Sequence, residues 1–272
     1  MQKFRKYSFN IRGRLVEMNR PWIWGILNVT PDSFYSGSRF QTEDSIAQRV
    51  REMLAEGADV IDVGGCSTRP ASSPVEEDGE MERLSMALPV IRSVAGADAL
   101  VSVDTFRAGV ARKCIEDYGA NIVNDVSGGT EEMFDVVKHF NVPYVLTHNT
   151  VVAEGADAAS EVLRWLAAGI DSLHQMGVCD VIADPGFGFC KNLEQNFAIM
   201  RHLEVFHSLG VPLLVGVSRK RMVYEKLGCD AAKALNGSTV LHTCALSKGA
   251  QMLRVHDVKE AKEAAELLSQ LI

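Results

Sequence analysis

The amino-acid sequence predicts a (β/α)8 barrel built as one domain over residues 1–272, with its active site at the carboxyl ends of the strands. Eight short apolar runs, each bounded by turn residues, alternate along the chain with segments of helical periodicity. The runs are almost continuously apolar, which is typical of strands buried on both faces of a parallel sheet. A length of 272 residues also suits a single barrel domain.

A polar residue follows nearly every apolar run. All strands of a barrel end on one face, where the active site forms, so these residues would share one mouth. Chance caps would not select the same end of nearly every strand, and the pattern therefore favours a site. The predicted strands cover residues 22–27, 60–61, 99–103, 121–123, 143–146, 181–183, 212–217 and 251–253. The polar residues after them are Asn28, Asp62, Asp104, Asn124, Thr147 with His148, Asp184, Ser218 to Lys220, and Arg254 with His256.

The segments between the strands carry helix signals. One helix is expected between Thr42, its N-cap, and Gly57 at its C-terminal end. Further helices are expected over residues 110–119, 162–177, 197–210 and from 257 to the C-terminus. Asp257 and Glu260 have the spacing of a capping box at the last of these. Weak alternation over residues 7–17 indicates a hairpin covering one end of the barrel, within an N-terminal extension of residues 1–20.

A doubly wound open sheet is the alternative fold. The first strand is not followed by a G-x-G-x-x-G turn and the chain has no P-loop motif, so nucleotide-binding versions of that fold are disfavoured. An open sheet also leaves unexplained why the polar residues gather at one end of all the strands.

Composition sets the remaining bounds. The chain is 47% hydrophobic and 23% charged, as in ordinary soluble proteins. A net charge of −7 argues against nonspecific nucleic-acid binding, which needs a basic face. Six cysteines without CxxC spacing indicate reduced thiols. Neither a signal peptide nor an apolar run of about 18 residues is visible, so we expect a cytoplasmic protein without membrane association.

One set of strand-end residues suits a flat heterocycle. Asp104, Asn124, Asp184 and Lys220 combine two carboxylates, an amide and a cation, and a carboxylate can pair with an amidine-like edge through two hydrogen bonds. The alternative interpretation is an internal Asp–Lys salt bridge. Asp184 could also serve only to cap the turn over residues 185–188.

A second set suits a diphosphate. Arg254 and His256 are two residues apart on a strand and would point to one face, with Arg69 as a further cation. Asn28 could supply an amide oxygen to a magnesium ion that otherwise keeps water and phosphate ligands. The alternative is a simple salt bridge of Arg254 at the strand end. Two loops rich in Gly, Ser and Pro, over residues 30–37 and 64–74, are candidate lids.

Six short motifs, in order along nearly the whole chain, resemble dihydropteroate synthase. They are residues 28–34 (NVTPDSF), 67–70 (STRP), 124–125 (ND), 184–189 (DPGFGF), 218–220 (SRK) and 254–257 (RVHD). The resemblance implies transfer of a hydroxymethylpterin from its diphosphate to 4-aminobenzoate, with Mg2+ as cofactor and a homodimeric assembly.

The resemblance also implies roles for individual residues. The pterin would be held by Asp104, Asn124, Asp184 and Lys220, with Arg254 stacked against it. The diphosphate would be held by Arg69, Arg254 and His256, and magnesium by Asn28. The aminobenzoate pocket would be shaped by Phe34, Thr68, Arg69, Pro70, Phe189, Ser218 and Lys220. Asp104, Lys220, Arg254 and His256 are therefore the catalytic candidates, and none is assigned as nucleophile or general base.

The match departs from the family pattern in three places. Thr147 stands where a methionine usually lines the pterin pocket, and the following segment to Val152 also differs. Cys190 replaces an expected glycine, which restricts the backbone if its φ is positive. Cys66 is unusual within the second lid. These departures keep two rivals open: a noncatalytic or weakened pterin-binding paralogue, and the pterin-binding barrel of folate-dependent methyltransferases. The methyltransferase reading has no use for residues 67–70 or for the diphosphate cations.

Overall fold

Eight parallel strands form the barrel that the sequence predicts. The structure is a computed structural model, and it describes residues 4–29, 43–66 and 75–271. The barrel strands are β3 (Trp22–Asn28), β4 (Val60–Gly64), β5 (Leu100–Asp104), β6 (Ile122–Asp125), β7 (Tyr144–Thr147), β8 (Val181–Asp184), β9 (Leu214–Val215) and β10 (Met252–Val255), and two further strands, β1 (Tyr7–Ile11) and β2 (Arg14–Met18), precede them.

The barrel strands are hydrogen-bonded in the order β8-β7-β6-β5-β4-β3-β10-β9. A parallel bridge between Ala183 and Leu213 joins the two ends of this order. The predicted fold class is thereby confirmed, with all eight strands ending at a common mouth.

Helices surround the strands. Those of the described residues are α1 (Glu43–Ala55), α2 (Glu77–Ala95), α3 (Ala108–Tyr118), α4 (Glu131–Phe140), α5 (Ala158–Met176), α6 (Leu193–Arg201), α7 (Arg221–Leu227), α8 (Leu235–Ser247) and α9 (Val258–Ser269). Short 3-10 helices cover Leu203–Leu209 and Ala231–Lys233.

An antiparallel hairpin covers the amino-terminal end of the barrel. Its strands β1 and β2 pair directly, in the region where the sequence predicts a hairpin. Phe9 packs on Trp22 with ring centroids 5.5 Å apart. Both belong to an apolar cluster that fills the lower barrel interior together with Trp24. The bottom of the barrel is therefore closed by aromatic packing, and the polar groups lie at the other end.

A larger apolar cluster lies between the strands and the surrounding helices. It forms because alternate strand residues face outward and meet the apolar stripes of the helices. Four helices, α2, α4, α7 and α8, lie outside the segments for which the sequence predicts helices. In α2 the pattern is obscured by Pro89 inside the helix. No helix of the described residues has the length and apolar character needed to cross a membrane.

The capping box expected at the start of α9 is wrong. Asp257 occupies the N-cap position without any side-chain capping bond. Its carboxylate instead accepts two hydrogen bonds, both 2.8 Å, from the guanidinium of Arg219. A charge-assisted bidentate pair is stronger than a capping bond to a neutral amide, so the carboxylate turns away from the helix. The expected N-cap Thr42 lies outside the described residues.

Candidate active site

An ion network built on Arg254 spans the barrel mouth. The Nε atom of Arg254 donates to Asp62 Oδ2 at 2.6 Å, and its Nη2 atom donates to Asp104. Asp62 is fully buried, and Asp104 is almost so. Arg254 therefore does form salt bridges, as the alternative interpretation expected. It forms two of them, and they join carboxylates at the ends of two different strands across the site.

Neighbouring strands present oxygen atoms that have no hydrogen-bond partner among the described residues. They are Asp62 Oδ1, Asp104 Oδ1, Asn124 Oδ1 and Thr147 Oγ1. Register places Asp104 beside Asn124 and Thr147 beside Asp184, so the arc runs over consecutive strands. A buried acceptor without a donor costs free energy, and a ligand with N–H donors would relieve that cost.

Asp184 is fixed by the turn that follows it. Its Oδ1 atom accepts the backbone N–H of Gly186 at 2.7 Å, so the capping interpretation also holds for one oxygen. Gly186 has φ +69°, and a β-carbon there would stand 2.0 Å from the carbonyl oxygen of His148. Only glycine fits this close approach, which locks the Asp184 carboxylate at the mouth.

Lys220, the N-cap residue of α7, faces the same turn. Its ammonium donates to the carbonyl oxygen of Phe187 and lies 4.6 Å from the ring centroid of Phe189. A cation over an aromatic face is attracted by the ring, so the two side chains fix each other's position. Lys220 and Phe189 were predicted to line the aminobenzoate pocket, and the structure places them in contact.

Burial shapes the ionisation of these groups. Desolvation raises the pKa of Asp104, with Asp62 close by, although Arg254 opposes the shift. Burial also raises the pKa of Asp184, against the effect of Lys220. Desolvation lowers the pKa of Lys220 to about 8. For Arg254, burial alone would lower the pKa, but Asp62 and Asp104 outweigh it and raise the value, so this guanidinium stays charged.

Ser218 and His256 form a second pair at the mouth. The Oγ atom of Ser218 accepts the backbone N–H of His256 at 3.1 Å and lies 3.2 Å from its Nδ1 atom. The residue between Ser218 and Lys220, Arg219, has φ +51° and is held by Asp257 and by the carbonyl oxygens of two alanines, Ala231 and Ala232. These bonds hold the backbone that presents Ser218 and Lys220.

Two residues with close contacts at the site were not among the predicted site residues. Asp62 touches both Arg254 and Asn124, and its place at a strand end was the available signal. Lys191 is buried, and its ammonium donates to the carbonyl oxygens of His148, Gly186 and Phe189 at 2.9 to 3.1 Å. The sequence gives no signal for these contacts, since they join two separate loops.

Asn28 lies beside the carboxylate network. Gly64 leaves open the position of a β-carbon, and Asn28 Oδ1 and Asp104 Oδ2 lie 3.7 and 3.6 Å from that point. The described residues contain no cluster of three or more His, Cys, Asp or Glu that could hold a metal ion by itself. One amide oxygen at an open cradle agrees with an ion that keeps mostly water and phosphate ligands.

Four predicted site residues belong to the candidate lids. Phe34, Thr68, Arg69 and Pro70 lie outside the described residues, together with all of the first lid and residues 67–74 of the second.

Among the departures from the family pattern, Cys190 has φ +48°, so its substitution for glycine does restrict the backbone. Its thiol donates to Asn149 Oδ1 at 3.4 Å. Thr147 is fully buried.

Comparison with known proteins identifies the class. The model of a family described as pterin binding enzyme matches residues 24–256. The chain therefore belongs to the pterin-binding enzyme family. The dihydropteroate synthase of Streptococcus pyogenes is 39% identical over 267 residues, which cover 96% of this chain and 99% of that protein. The resemblance to dihydropteroate synthases that the motifs indicate is thereby confirmed.

Solved structures agree with this assignment. A Xanthomonas albilineans dihydropteroate synthase with 4-aminobenzoic acid has a TM-score of 0.86 and 34% identity, covering 97% of each chain. The Thermus thermophilus dihydropteroate synthase in complex with 6HMPPP has a TM-score of 0.85 and 37% identity, covering 98% of this chain and all of that one.

Proposed function

We propose that the chain is a dihydropteroate synthase. It condenses 6-hydroxymethyl-7,8-dihydropterin diphosphate with 4-aminobenzoate to give 7,8-dihydropteroate and diphosphate. The observation that carries the proposal is the arc of buried oxygens at the barrel mouth, which have no partners among the described residues and lie beside Arg254 and Lys220. The mouth therefore offers hydrogen-bond acceptors to a ring that carries N–H donors, and it offers cations to an anionic leaving group.

In the proposed mechanism the protein positions the reactants and stabilises charge. Asp104, Asn124 and Asp184 hold the pterin through its N–H groups. The bond between the pterin methylene carbon and the diphosphate oxygen breaks, and the amine nitrogen of 4-aminobenzoate bonds to that carbon and loses a proton. Since an aromatic amine is already nucleophilic, its placement matters more than its activation, and no general base is assigned.

The cations meet the charge that develops on the leaving group. Arg254 keeps its charge across the working pH range, since Asp62 and Asp104 raise its pKa. Arg254 and His256 would hold the diphosphate oxygens, with Arg69 from the second lid. Lys220 and Phe189 would form a wall of the aminobenzoate pocket, with Ser218 beside them and Phe34, Thr68 and Pro70 contributed by the lids.

Magnesium fits the proposal through Asn28. Its amide oxygen and Asp104 Oδ2 both face the point where a β-carbon on Gly64 would stand, at 3.7 and 3.6 Å. When bound, the ion would neutralise part of the diphosphate charge. We also propose a homodimer in the cytoplasm, on the family resemblance and on the six cysteines without paired spacing.

The test is direct turnover. Purified protein is mixed with magnesium, the pterin diphosphate and 4-aminobenzoate, and dihydropteroate and free diphosphate are measured. Equimolar appearance of both products is the expected result. Pterin binding without product would contradict the synthase and favour the noncatalytic paralogue. Transfer of a methyl group from a methylated folate to an added methyl acceptor, with no product from the pterin diphosphate, would favour the methyltransferase barrel.

Arg254 gives a second test of the same function. Arg254→Ala is expected to weaken binding of the diphosphate-bearing pterin more than binding of plain hydroxymethylpterin, because only the first carries the anionic group that Arg254 would hold. Calorimetry with both ligands measures the difference. Equal losses for the two ligands would remove Arg254 from the diphosphate site.

A further inference from the structure

Lys191 joins the loops that follow two neighbouring strands of the barrel. Its side chain is buried, and its ammonium has three N–H donors. Three backbone carbonyl oxygens accept from it, those of His148 at 3.1 Å, Gly186 at 2.9 Å and Phe189 at 3.1 Å. His148 lies just after β7, whereas Gly186 and Phe189 lie after β8. One side chain therefore ties the two loops together.

The backbone that Lys191 holds carries residues of both proposed substrate pockets. Gly186 donates its backbone N–H to Asp184 Oδ1 at 2.7 Å, so the position of Gly186 sets the direction of this carboxylate. Phe189, whose carbonyl oxygen also accepts from Lys191, is the proposed wall of the aminobenzoate pocket. Its own N–H donates to the carbonyl oxygen of Gly186 at 3.1 Å. The Asp184 carboxylate and the Phe189 ring thus depend on the same ammonium.

Other links between the two loops are weaker or lie outside the turn. The thiol of Cys190 donates to Asn149 Oδ1 at 3.4 Å, and a thiol is a weak donor. The backbone N–H of His148 donates to the carbonyl oxygen of Asp184 at 2.9 Å, before the turn begins. Because hydrogen bonds from a charged donor are stronger than these, Lys191 is the main hydrogen-bonded link between the β7 loop and the turn.

For stability, a cation at this place brings both a cost and a gain. A buried charge is costly when its hydrogen-bond partners are neutral, as the three carbonyl groups are. Burial accordingly lowers the pKa of Lys191 to about 8, although Asp184 opposes the shift. A methionine of similar length would avoid that cost but would leave the carbonyl oxygens without this donor. These two effects on folding oppose each other, whereas the position of the turn can only become less defined.

We propose that Lys191 is a positioning residue that holds the Asp184 carboxylate and Phe189 in one fixed arrangement and thereby serves both substrate pockets at once. The inference rests on the proposed function, since the two pockets belong to the same reaction. Lys191 acts through the backbone of the two loops, and it is not among the residues proposed to touch either substrate.

The first experiment measures steady-state kinetics of Lys191→Met. The KM for the pterin diphosphate and the KM for 4-aminobenzoate are each determined at a saturating concentration of the other substrate. We expect both KM values to rise at least about tenfold, because small misplacements of positioning groups weaken productive binding. A merely structural loss would lower the concentration of active protein, so that the apparent kcat falls and both KM values stay unchanged.

The second experiment needs no turnover. Amide hydrogen exchange of the ligand-free chain is followed over residues 184–190, where the N–H groups of Gly186, Gly188 and Phe189 are hydrogen-bonded. We expect these amides to exchange at least about tenfold faster in Lys191→Met, because the turn opens locally more often when its tether is removed.

Lys248→Met is the matched control. The Lys248 ammonium also donates to a backbone carbonyl oxygen, that of Arg201 at 2.8 Å, and it pairs with Glu204 at 2.8 Å. Lys248 is the C-cap residue of α8, before β10 begins, and so lies away from the mouth. This variant should keep both KM values and the exchange rates of residues 184–190.

The outcomes separate the two claims. If the wild-type chain forms no product, the proposed function fails, whereas faster exchange of the turn in Lys191→Met still supports the tether. If product forms and Lys191→Met raises neither KM or only one, the positioning role is overturned. Unchanged exchange over residues 184–190 overturns it as well.

Should Lys191→Met not fold, Lys191→Arg decides. Its planar guanidinium keeps the charge but cannot direct three N–H groups from one nitrogen atom to three carbonyl oxygens. Both KM values must therefore rise in this variant too, and wild-type KM values would overturn the role of Lys191.

Discussion

The two ends of the barrel solve opposite problems with the same strands. At the amino-terminal end, Trp22 and Trp24 share one apolar cluster with Phe9 of the hairpin, and the Trp24 indole N–H is a polar group there without a partner among the described residues. At the carboxyl end the same strands finish in carboxylates and amides, several of whose oxygens likewise have no partner in the described part of the chain. Apolar packing that stabilises the fold is concentrated at the amino-terminal end, and the polar groups that a ligand could satisfy lie at the carboxyl end.

The difference shows why the mouth can be costly. Partnerless buried oxygens and like charges such as Asp62 and Asp104 each destabilise the folded chain. An aromatic floor offsets that cost because large buried rings contribute several kcal/mol each. Substitutions at the floor should therefore change stability with little effect on binding, and substitutions at the mouth should do the reverse.

The largest expected effect lies at the floor. Trp24→Ala should lower the free energy of unfolding by about 4 kcal/mol, because Trp24 is fully buried and its removal leaves a cavity. Chemical denaturation measures the change, with Leu267→Ala as the control, since Leu267 is 71% exposed and should shift stability by less than about 0.5 kcal/mol. Pterin affinity of the folded fraction should stay within about threefold of the wild type. A selective loss of pterin binding at unchanged stability would break the division between the two ends.

The next effect lies at the mouth, and its control stands just before the start of the same strand. Asp184→Asn should weaken pterin binding about a hundredfold, or about 3 kcal/mol, because a buried carboxylate partner is lost. Asp180 stands just before the other end of β8, where its Oδ2 atom accepts the backbone N–H of Asn10 at 2.8 Å. Asp180→Asn should leave affinity unchanged. Calorimetry that shows similar affinities for both variants would remove Asp184 from the pterin site.

The sequence predicts the strands and the residues at their ends, but it does not predict which side chains those residues contact. The strands and their end residues follow from continuous apolar runs, so Asp104 and Asp184 were within reach of sequence reasoning. The partners of those residues were not, because a pairing such as Asp62 with Asn124 joins positions 62 residues apart. Asp257 fits a local capping pattern, yet it is taken by Arg219 from another loop. Local rules fail where a stronger charged partner arrives from elsewhere in the fold.

Lys220 makes the mouth sensitive to alkaline pH. Burial lowers the pKa of Lys220 from the ordinary 10.5 to about 8. If binding of 4-aminobenzoate needs the charged ammonium, its affinity should fall about tenfold for each pH unit above about 8. The free energy of unfolding should not fall in this range, because between pH 8 and pH 10.5 Lys220 binds more protons in the unfolded chain than in the folded one, and its contribution to stability therefore rises with pH.

Lys220→Arg tests that assignment. A guanidinium remains charged, so the decline of binding above pH 8 should disappear in this variant, as measured by calorimetry across a pH series. Lys191 has a pKa lowered to a similar value by burial. If the decline persists in Lys220→Arg, the titrating group is another one, with Lys191 the first candidate, and Lys220 does not control the site.

The smallest effect concerns the turn between the proposed pterin residue Asp184 and the proposed aminobenzoate residue Phe189, which Cys190 follows. Cys190 has φ +48°, a conformation that costs a residue with a β-carbon about 1 to 2 kcal/mol, whereas glycine adopts it freely. Glycine also gives the unfolded chain more freedom, at a cost of about 0.5 to 1 kcal/mol. Cys190→Gly should therefore stabilise the fold by up to about 1 kcal/mol, less the weak thiol contact with Asn149.

Cys179→Gly is the control for this last change. Cys179 is also exposed, but its φ lies outside the left-handed region, so glycine there relieves no strain and should destabilise by about 0.5 to 1 kcal/mol. Thermal unfolding of both variants measures the opposite signs. Equal destabilisation would mean that residue 190 carries no strain. In that case the three hydrogen bonds from the Lys191 ammonium to carbonyl oxygens would determine the backbone conformation before residue 190. The glycine of the family pattern would then be explained by the space it leaves and not by its conformational freedom.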